Sequence, residues 1–210
     1  TGRFAIPLSR HARQITAIDH SPEMLEILKR KARARNIENI QVIQADWSSL
    51  ALEPHDVVLA AWSLYQQSHL LTALQKLVDA TRRCLFIVAE VKSWPPPRLI
   101  AMRIWPEHYA NEVDVPMHLS YLGALWQLGA HADLRIVNEK RAFFANTPAE
   151  LAALFAPRHA SASEIDRFAA DLKPYLKRSQ GGYIYSLTEP VAVILWRANQ
   201  PYERVPASSD

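Results

Sequence analysis

Residues Gln14–Met24 read QITAIDHSPEM, and this stretch decides how the rest of the chain is read. Ile15, Ala17 and Ile18 make a short apolar strand that ends in an acid, Asp19. Ser21 and Pro22 then open a helix, serine as N-cap and proline at the first helical position. In a doubly wound α/β sheet, ligands bind at the carboxyl ends of the parallel strands. A carboxylate held there can accept hydrogen bonds from both vicinal hydroxyls of a ribose. Thr1-Gly2 stands seventeen residues ahead of Asp19, and in such folds a glycine turn precedes the ribose acid by about 20 residues. The pairing predicts a nucleoside-bearing cofactor without saying which one.

Outward from this stretch, strands and helices alternate. Arg3–His11 (RFAIPLSRH) predicts a first helix with Pro7 in its early turns. Met24, Leu25, Leu28 and Ala32 recur at helical spacing until Asn36 closes that helix. Ile40–Ile43 reads as the next strand and delivers Ala45-Asp46-Trp47 to its carboxyl end. Asp56–Ala61 and Leu85–Ala89 are apolar runs that fit strands buried on both faces, with a periodic helix over Leu70–Ala80 between them. The alternation is the βαβ signature of a Rossmann-like, doubly wound, mostly parallel α/β sheet. Trp94-Pro95-Pro96-Pro97 interrupts it, predicting a loop-rich aromatic stretch over residues 98–117 before helix returns at His118–Leu128. A strand over Asp133–Val137 and helices over Thr147–Phe155 and Ser163–Leu176 follow. Gly181-Gly182 then breaks the chain ahead of two terminal strands, Tyr183–Ser186 and Val191–Trp196, around Glu189-Pro190.

Composition narrows the function classes. The 210 residues suffice for one sizeable domain, or one domain with a cap. The net charge is only +3, and the one dense basic run, Lys29-Arg30-Lys31 with Arg33 and Arg35, sits on a helix whose other face is apolar. It reads as a solvated face, so a nucleic-acid partner is not expected. The single cysteine, Cys84, excludes an internal disulfide, suits a reducing cytoplasm and lies in an apolar run as a small core residue. No apolar run approaches the length of a membrane span, so no membrane partner is expected. His69, His108, His118 and His131 show no paired metal-ligand spacing, so no metal is expected. The chain opens in the middle of what reads as a functional loop, and we expect an N-terminally truncated stretch of a longer protein.

Taken in order, Thr1-Gly2, Asp19-His20-Ser21-Pro22-Glu23-Met24-Leu25, Ala45-Asp46-Trp47 and Asp56–Ala60 resemble a known family, the class I S-adenosylmethionine-dependent methyltransferases of the small bacterial and archaeal methyltransferase-domain kind. The resemblance implies a seven-strand sheet with the first strand absent, and S-adenosyl-L-methionine as cofactor. By it, Gly2 would close the glycine-rich first loop beside the methionine part, and Asp19 would hold the ribose hydroxyls with His20 and Met24 alongside. Asp46 would accept from the adenine amino group, Trp47 would lie against the ring, and Ala60, Ala61 and Trp62 would floor the sulfonium. The chain departs from the pattern in lacking the first strand and the earlier loop glycines. Read without the family, Asp46 taken alone is a turn cap before it is a ligand, though two acids at successive strand ends shift it toward function, and Trp47 is as readily a packing residue as a stacking one.

The expected organisation is a cofactor-binding half over residues 1–92, a cap or substrate insertion over 93–130, further strands and helices of the same domain over 131–198, and a disordered tail over 199–210. The acceptor, a small molecule, should meet Trp62, Tyr65, Trp94, His108 and Tyr109; no catalytic base can be named. The segment Ala60-Ala61-Trp62-Ser63-Leu64-Tyr65 lacks the Asn/Asp-Pro-Pro-Tyr motif of base amino-methyltransferases. A nicotinamide oxidoreductase would keep the ribose acid, yet neither Tyr65 nor Tyr121 is followed by lysine four residues on. A non-enzymatic rival is a methyltransferase-like subunit that keeps the fold and serves a partner.

Overall fold

The computed structural model of this chain describes residues 1–65, 67–91, 95–110 and 116–198. The chain divides into two compact units, Thr1–Pro54 and His55–Asp210. The expected tail over 199–210 lies outside the described residues.

In the first unit, helix α1 is Ala5–Leu8, shorter than the expected Arg3–His11. Side chains take up the carbonyls that a longer helix would have used. The Ser9 hydroxyl donates to the Ile6 carbonyl at 2.8 Å, and the Asn39 amide donates to the Ser9 and Ala12 carbonyls, each at 2.8 Å. Strand β1 (Ile15–Asp19) pairs in parallel with β2 (Ile40–Gln44), Ile15 opposite Ile40 and Asp19 opposite Gln44. Helix α2 (Pro22–Arg33) joins them. The Met24 N–H donates to the Ser21 hydroxyl at 3.3 Å as the expected N-cap requires. Its buried face is Leu25, Leu28 and Ala32. Asn36, at φ 52°, takes the left-handed step that ends it, and the Ile37 N–H returns to the Ala32 carbonyl.

The second unit carries a sheet in the order β3 (His55–Ala61), β4 (Thr81–Glu90), β7 (Gly182–Arg197), β5 (Asp133–Ala145), with the short β6 (Lys177–Ser179) also on β7. β3 and β4 are parallel, with helix α3 (Leu70–Asp79) between them in sequence, whereas β7 runs antiparallel to β4, β5 and β6. The two terminal strands read from the sequence are one strand of 16 residues. Pro190 does not divide it because β4 stops at Glu90, opposite Val191. Residues 185–190 of β7 therefore pair with β5 alone, and a proline is tolerated where one edge needs no donor. Gln180 and Gly181, at φ 42° and 85°, make the tight two-residue turn from β6 to β7.

The prolines after Trp94 also act differently from the reading above. Pro96 and Pro97 begin helix α4 (Pro96–Ile104), where a missing N–H removes no hydrogen bond. Short helix α5 (Pro106–Tyr109) follows, so much of the stretch expected to be loop is helical. Helix α6 (Met117–Gln127) packs against α3 and β4, while α4 packs against α8 (Ala162–Leu172), which follows α7 (Pro148–Ala153). Ile100, Ala101 and Trp105 join Ala152, Phe168, Ala169 and Leu172 in one buried cluster. Trp105 meets Phe168 edge to face at 5.4 Å. Among the described residues no helix is long and apolar enough to cross a membrane.

Phe168 is fully buried at the centre of this cluster. Phe168→Ala is expected to lower unfolding stability by about 3–5 kcal/mol, through lost burial and the cavity left behind. Urea unfolding followed by circular dichroism measures it, and a loss below ~1 kcal/mol would mean that this cluster does not hold α4 to α8.

Candidate functional site

In the first unit the sequence-derived site residues gather at the carboxyl ends of β1 and β2. The Asp19 carboxylate receives the Ser21 N–H on Oδ1 at 3.0 Å, and His20 Nδ1 lies 3.7 Å from the same oxygen. Its other oxygen has no hydrogen-bond partner among the described residues, and the side chain is 37% exposed. One oxygen is thus anchored to the backbone. His20 and Met24 are both exposed beside it. Glu23, drawn to the Ser21 hydroxyl at 2.7 Å, is held below the usual carboxylate range by that bond.

Asp46 stands two residues past the end of β2. Its Oδ1 accepts the Ser48 N–H at 2.9 Å and the Ser48 hydroxyl at 2.8 Å, while its carbonyl accepts the Ser49 hydroxyl at 2.8 Å. The turn-capping role is therefore visible directly. Trp47 is half-buried in the same turn. Gly2 has φ 78°, and a Cβ there would come within 2.7 Å of Ile6 and 2.8 Å of Leu28. Both its conformation and its lack of a side chain are needed to seat the start of α1 on α2.

In the second unit, Ala60 (buried) and Ala61 (half-buried) end β3. Trp62 follows at φ 49°, a left-handed conformation uncommon for a bulky residue, with its N–H still donating to the Val88 carbonyl at 3.0 Å. Its ring lies 5.8 Å from the Arg141 guanidinium. Arg141 lines a cavity of about 190 Å³ with Glu90, Arg98, Tyr109, Phe143, Tyr185 and Glu189 among its walls. Of the residues expected to meet the acceptor, Tyr109 lines this cavity and Trp62 reaches its Arg141. Tyr65 is 63% exposed and is not part of the wall. His108 is exposed, its ring edge-on to Tyr109 and tilted against His159, also off the wall. Trp94 lies outside the described residues.

Sequence reasoning missed most of this wall. Arg98, Arg141, Phe143, Tyr185 and Glu189 went unremarked as site candidates. The available signal was the alternation Glu139, Arg141, Phe143 facing Tyr185, Leu187, Glu189, since residues two apart in a strand share a face. Tyr185 is 3% exposed, and burial, with the Glu189 charge nearby, pushes its phenol from 10.0 up to about 12. A folded-state value raised in this way stabilises the fold fully below pH 10, and the contribution is lost as pH rises through 12. Ultraviolet titration should show tyrosine ionisation extending to about pH 12, and Tyr185→Phe should reduce the late step by one tyrosine, Tyr121 being raised by burial as well. A Tyr185→Phe chain with an unchanged titration would disprove the assignment.

Residues 1–86 match the family described as "Methyltransferase domain". No curated protein matches the sequence. Among solved structures, the chain is similar to the YcgJ protein of Bacillus subtilis, with a TM-score of 0.57 at 12% identity, covering 95% of this chain and 88% of that one. It is also similar to a Bacillus halodurans protein put forward as a methyltransferase, with a TM-score of 0.59 at 9% identity, covering 93% and 87%. A precorrin 8w decarboxylase from Methanobacterium thermoautotrophicum shares the fold as well, with a TM-score of 0.52 at 14% identity, covering 93% and 75%. At these identities the structures speak for the fold, and the sequence match speaks for the domain. Residues 1–86 thus match a methyltransferase domain, and the chain shares the fold of these solved structures.

Proposed function

We propose that this chain transfers the methyl group of S-adenosyl-L-methionine to a small-molecule acceptor, with Asp19 as the anchor of the cofactor's ribose. The observation that carries the reading is the Asp19 carboxylate, fixed through Oδ1 by the Ser21 N–H at the carboxyl end of a parallel strand and without a partner on its other oxygen among the described residues. A preorganised acceptor of this kind meets a diol with little further loss of side-chain freedom. Met24 and His20 offer an apolar and a polar neighbour to the adenosine. Asp46, already capping its turn, would turn its carboxylate edge toward the adenine amino group, with Trp47 beside the ring. Gly2 keeps the turn before α1 in the shape that backbone contact with the methionine part needs. The cofactor, when bound, supplies an electrophilic methyl on a sulfonium. The protein's part is to hold the two reactants in line and keep water away.

A small acceptor is favoured by the cavity of the second unit. Its volume of about 190 Å³ falls short of the about 300–1,000 Å³ of drug-sized pockets. Its aromatic and charged walls suit a compact molecule with one polar group.

Calorimetric titration with S-adenosylhomocysteine is the direct test. The chain should bind it, and Asp19→Ala should weaken binding by about 1–3 kcal/mol, the loss typical of removing hydrogen bonds from a buried polar partner. No binding, or equal binding by the Asp19→Ala variant, would remove the ground for this reading.

A further inference from the structure

We propose that the outer edge of β5 is a docking surface for a second copy of this chain, the two β5 strands pairing antiparallel about a two-fold axis at Val137. Among the described residues β5 lies at one end of its sheet, with β7 as its only strand neighbour. An end strand presents a row of backbone donors and acceptors on its outer side, a template for another strand. Folded chains often blunt such an edge by shortening it, or with a proline or a bulge. β5 instead runs from Asp133 to Ala145, pairs residue for residue with β7 throughout, and contains neither proline nor glycine.

Its side chains are bare at the same place. Ile136 and Val137 are 47% and 39% exposed. Neighbouring residues of a strand point to opposite faces, so apolar surface is open to water on both faces of this edge. A strand added there covers both at once.

The charges select which strand fits. Two copies related by an axis normal to the sheet pair each residue with the one equally far beyond the axis. With the axis at Val137, Asp133 stands opposite Arg141 of the second copy and Arg135 opposite its Glu139, and symmetry makes each pair twice. Val137 meets Val137, and Ile136, opposite Asn138, is a diagonal neighbour of Ile136 in the second copy. Opposite charges facing across antiparallel strands attract and like charges repel. An axis at Ile136 sets Asp133 against Glu139, and one at Asn138 sets Arg135 against Arg141. At Arg135, Glu139, Lys140 or Arg141 the axis sets a charge against itself. From Arg135 to Arg141, therefore, only Val137 avoids a like-charge pair. A foreign strand would need the complementary pattern by coincidence, whereas a second copy carries it, and the resulting two-fold contact closes on itself.

Sedimentation velocity over a concentration series of the intact chain should show a monomer–dimer equilibrium. Val137→Lys sets like charges face to face at the axis and should weaken dimerisation at least about tenfold. Arg135→Glu, which meets Glu139 of the second copy with another carboxylate, should weaken it too, whereas Arg135→Lys should not. Circular dichroism checks that these variants fold. In a Cys84→Ser background, Val137→Cys should give a disulfide-linked dimer on mild oxidation. Lys140→Cys should not, because Lys140 faces Leu134 of the second copy, six positions or about 20 Å from the second Lys140. A chain that is monomeric at every concentration overturns the proposal. So does a dimer that Val137→Lys leaves intact, which would use another surface, and so does cross-linking through Lys140→Cys in preference to Val137→Cys.

Discussion

The second unit depends on the backbone of β7 finding hydrogen-bond partners. Each strand residue other than proline has one donor and one acceptor to satisfy, and leaving either unpaired in the interior is costly. From Val191 to Leu195 the strand is paired on both sides, by β4 and by β5. Ala192 and Ile194 are accordingly fully buried. Before Val191, β4 has ended and Pro190 has no N–H to offer it. The side of β7 that β4 covered further along is open over this stretch. Side chains from α4 and α5, with Phe155, stand in the wall instead of a strand, and packed helices do not fill the space as a strand would. The cavity is the consequence. Its walls combine the end of β4 (Glu90), the singly paired stretch of β7 (Tyr185, Leu187, Glu189) and the helices Pro96–Tyr109.

That origin explains why polar groups gather there. A strand paired on both sides and covered on both faces reads as a run of Val, Ile, Leu and Ala, as Leu85–Ala89 and Val191–Leu195 do. Where the sheet opens, alternate residues face a partly wetted space and charged side chains become affordable. Glu139, Arg141 and Glu189 occupy such positions. Their mutual pairing is what lets three charges remain less than about a third exposed, since isolated charges at that depth would strongly favour neutralisation.

How much of this was legible follows from the range of the signals. Asp19, Ser21 and Pro22 sit within four residues, and the strand end, cap and helix start they encode are local, so the first unit is close to its reading. The parallel pair β3–β4 was legible for the same reason, through continuous apolar runs. The C-terminal strands were not. Pro190 reads locally as a break, and only the place where β4 ends, a hundred residues away in the chain, makes it harmless. Pro96 and Pro97 mislead in the mirror sense, because a proline that stops one element is well suited to begin the next. The cavity wall needed the β5–β7 register, a long-range fact, before Glu139 and Glu189 could be seen to face each other.

Trp62 brings these strands of argument to one place. Its backbone is left-handed at φ 49°, a conformation that for a bulky side chain costs on the order of 1–3 kcal/mol. Two contacts offset that cost: the bond from its N–H to the Val88 carbonyl, which keeps the β3–β4 ladder intact through the turn, and the indole against the Arg141 guanidinium. A glycine would accept the backbone more easily and lose the second contact altogether. Now, the general rule for open α/β sheets puts ligands at the carboxyl ends of parallel strands. In this unit those ends are Ala61 and Glu90. Glu90 is part of the cavity wall, and the ring of the residue after Ala61 lies 5.8 Å from the guanidinium of Arg141, which also lines it. The position that topology assigns to a ligand is therefore the position where the described residues of this unit enclose a cavity.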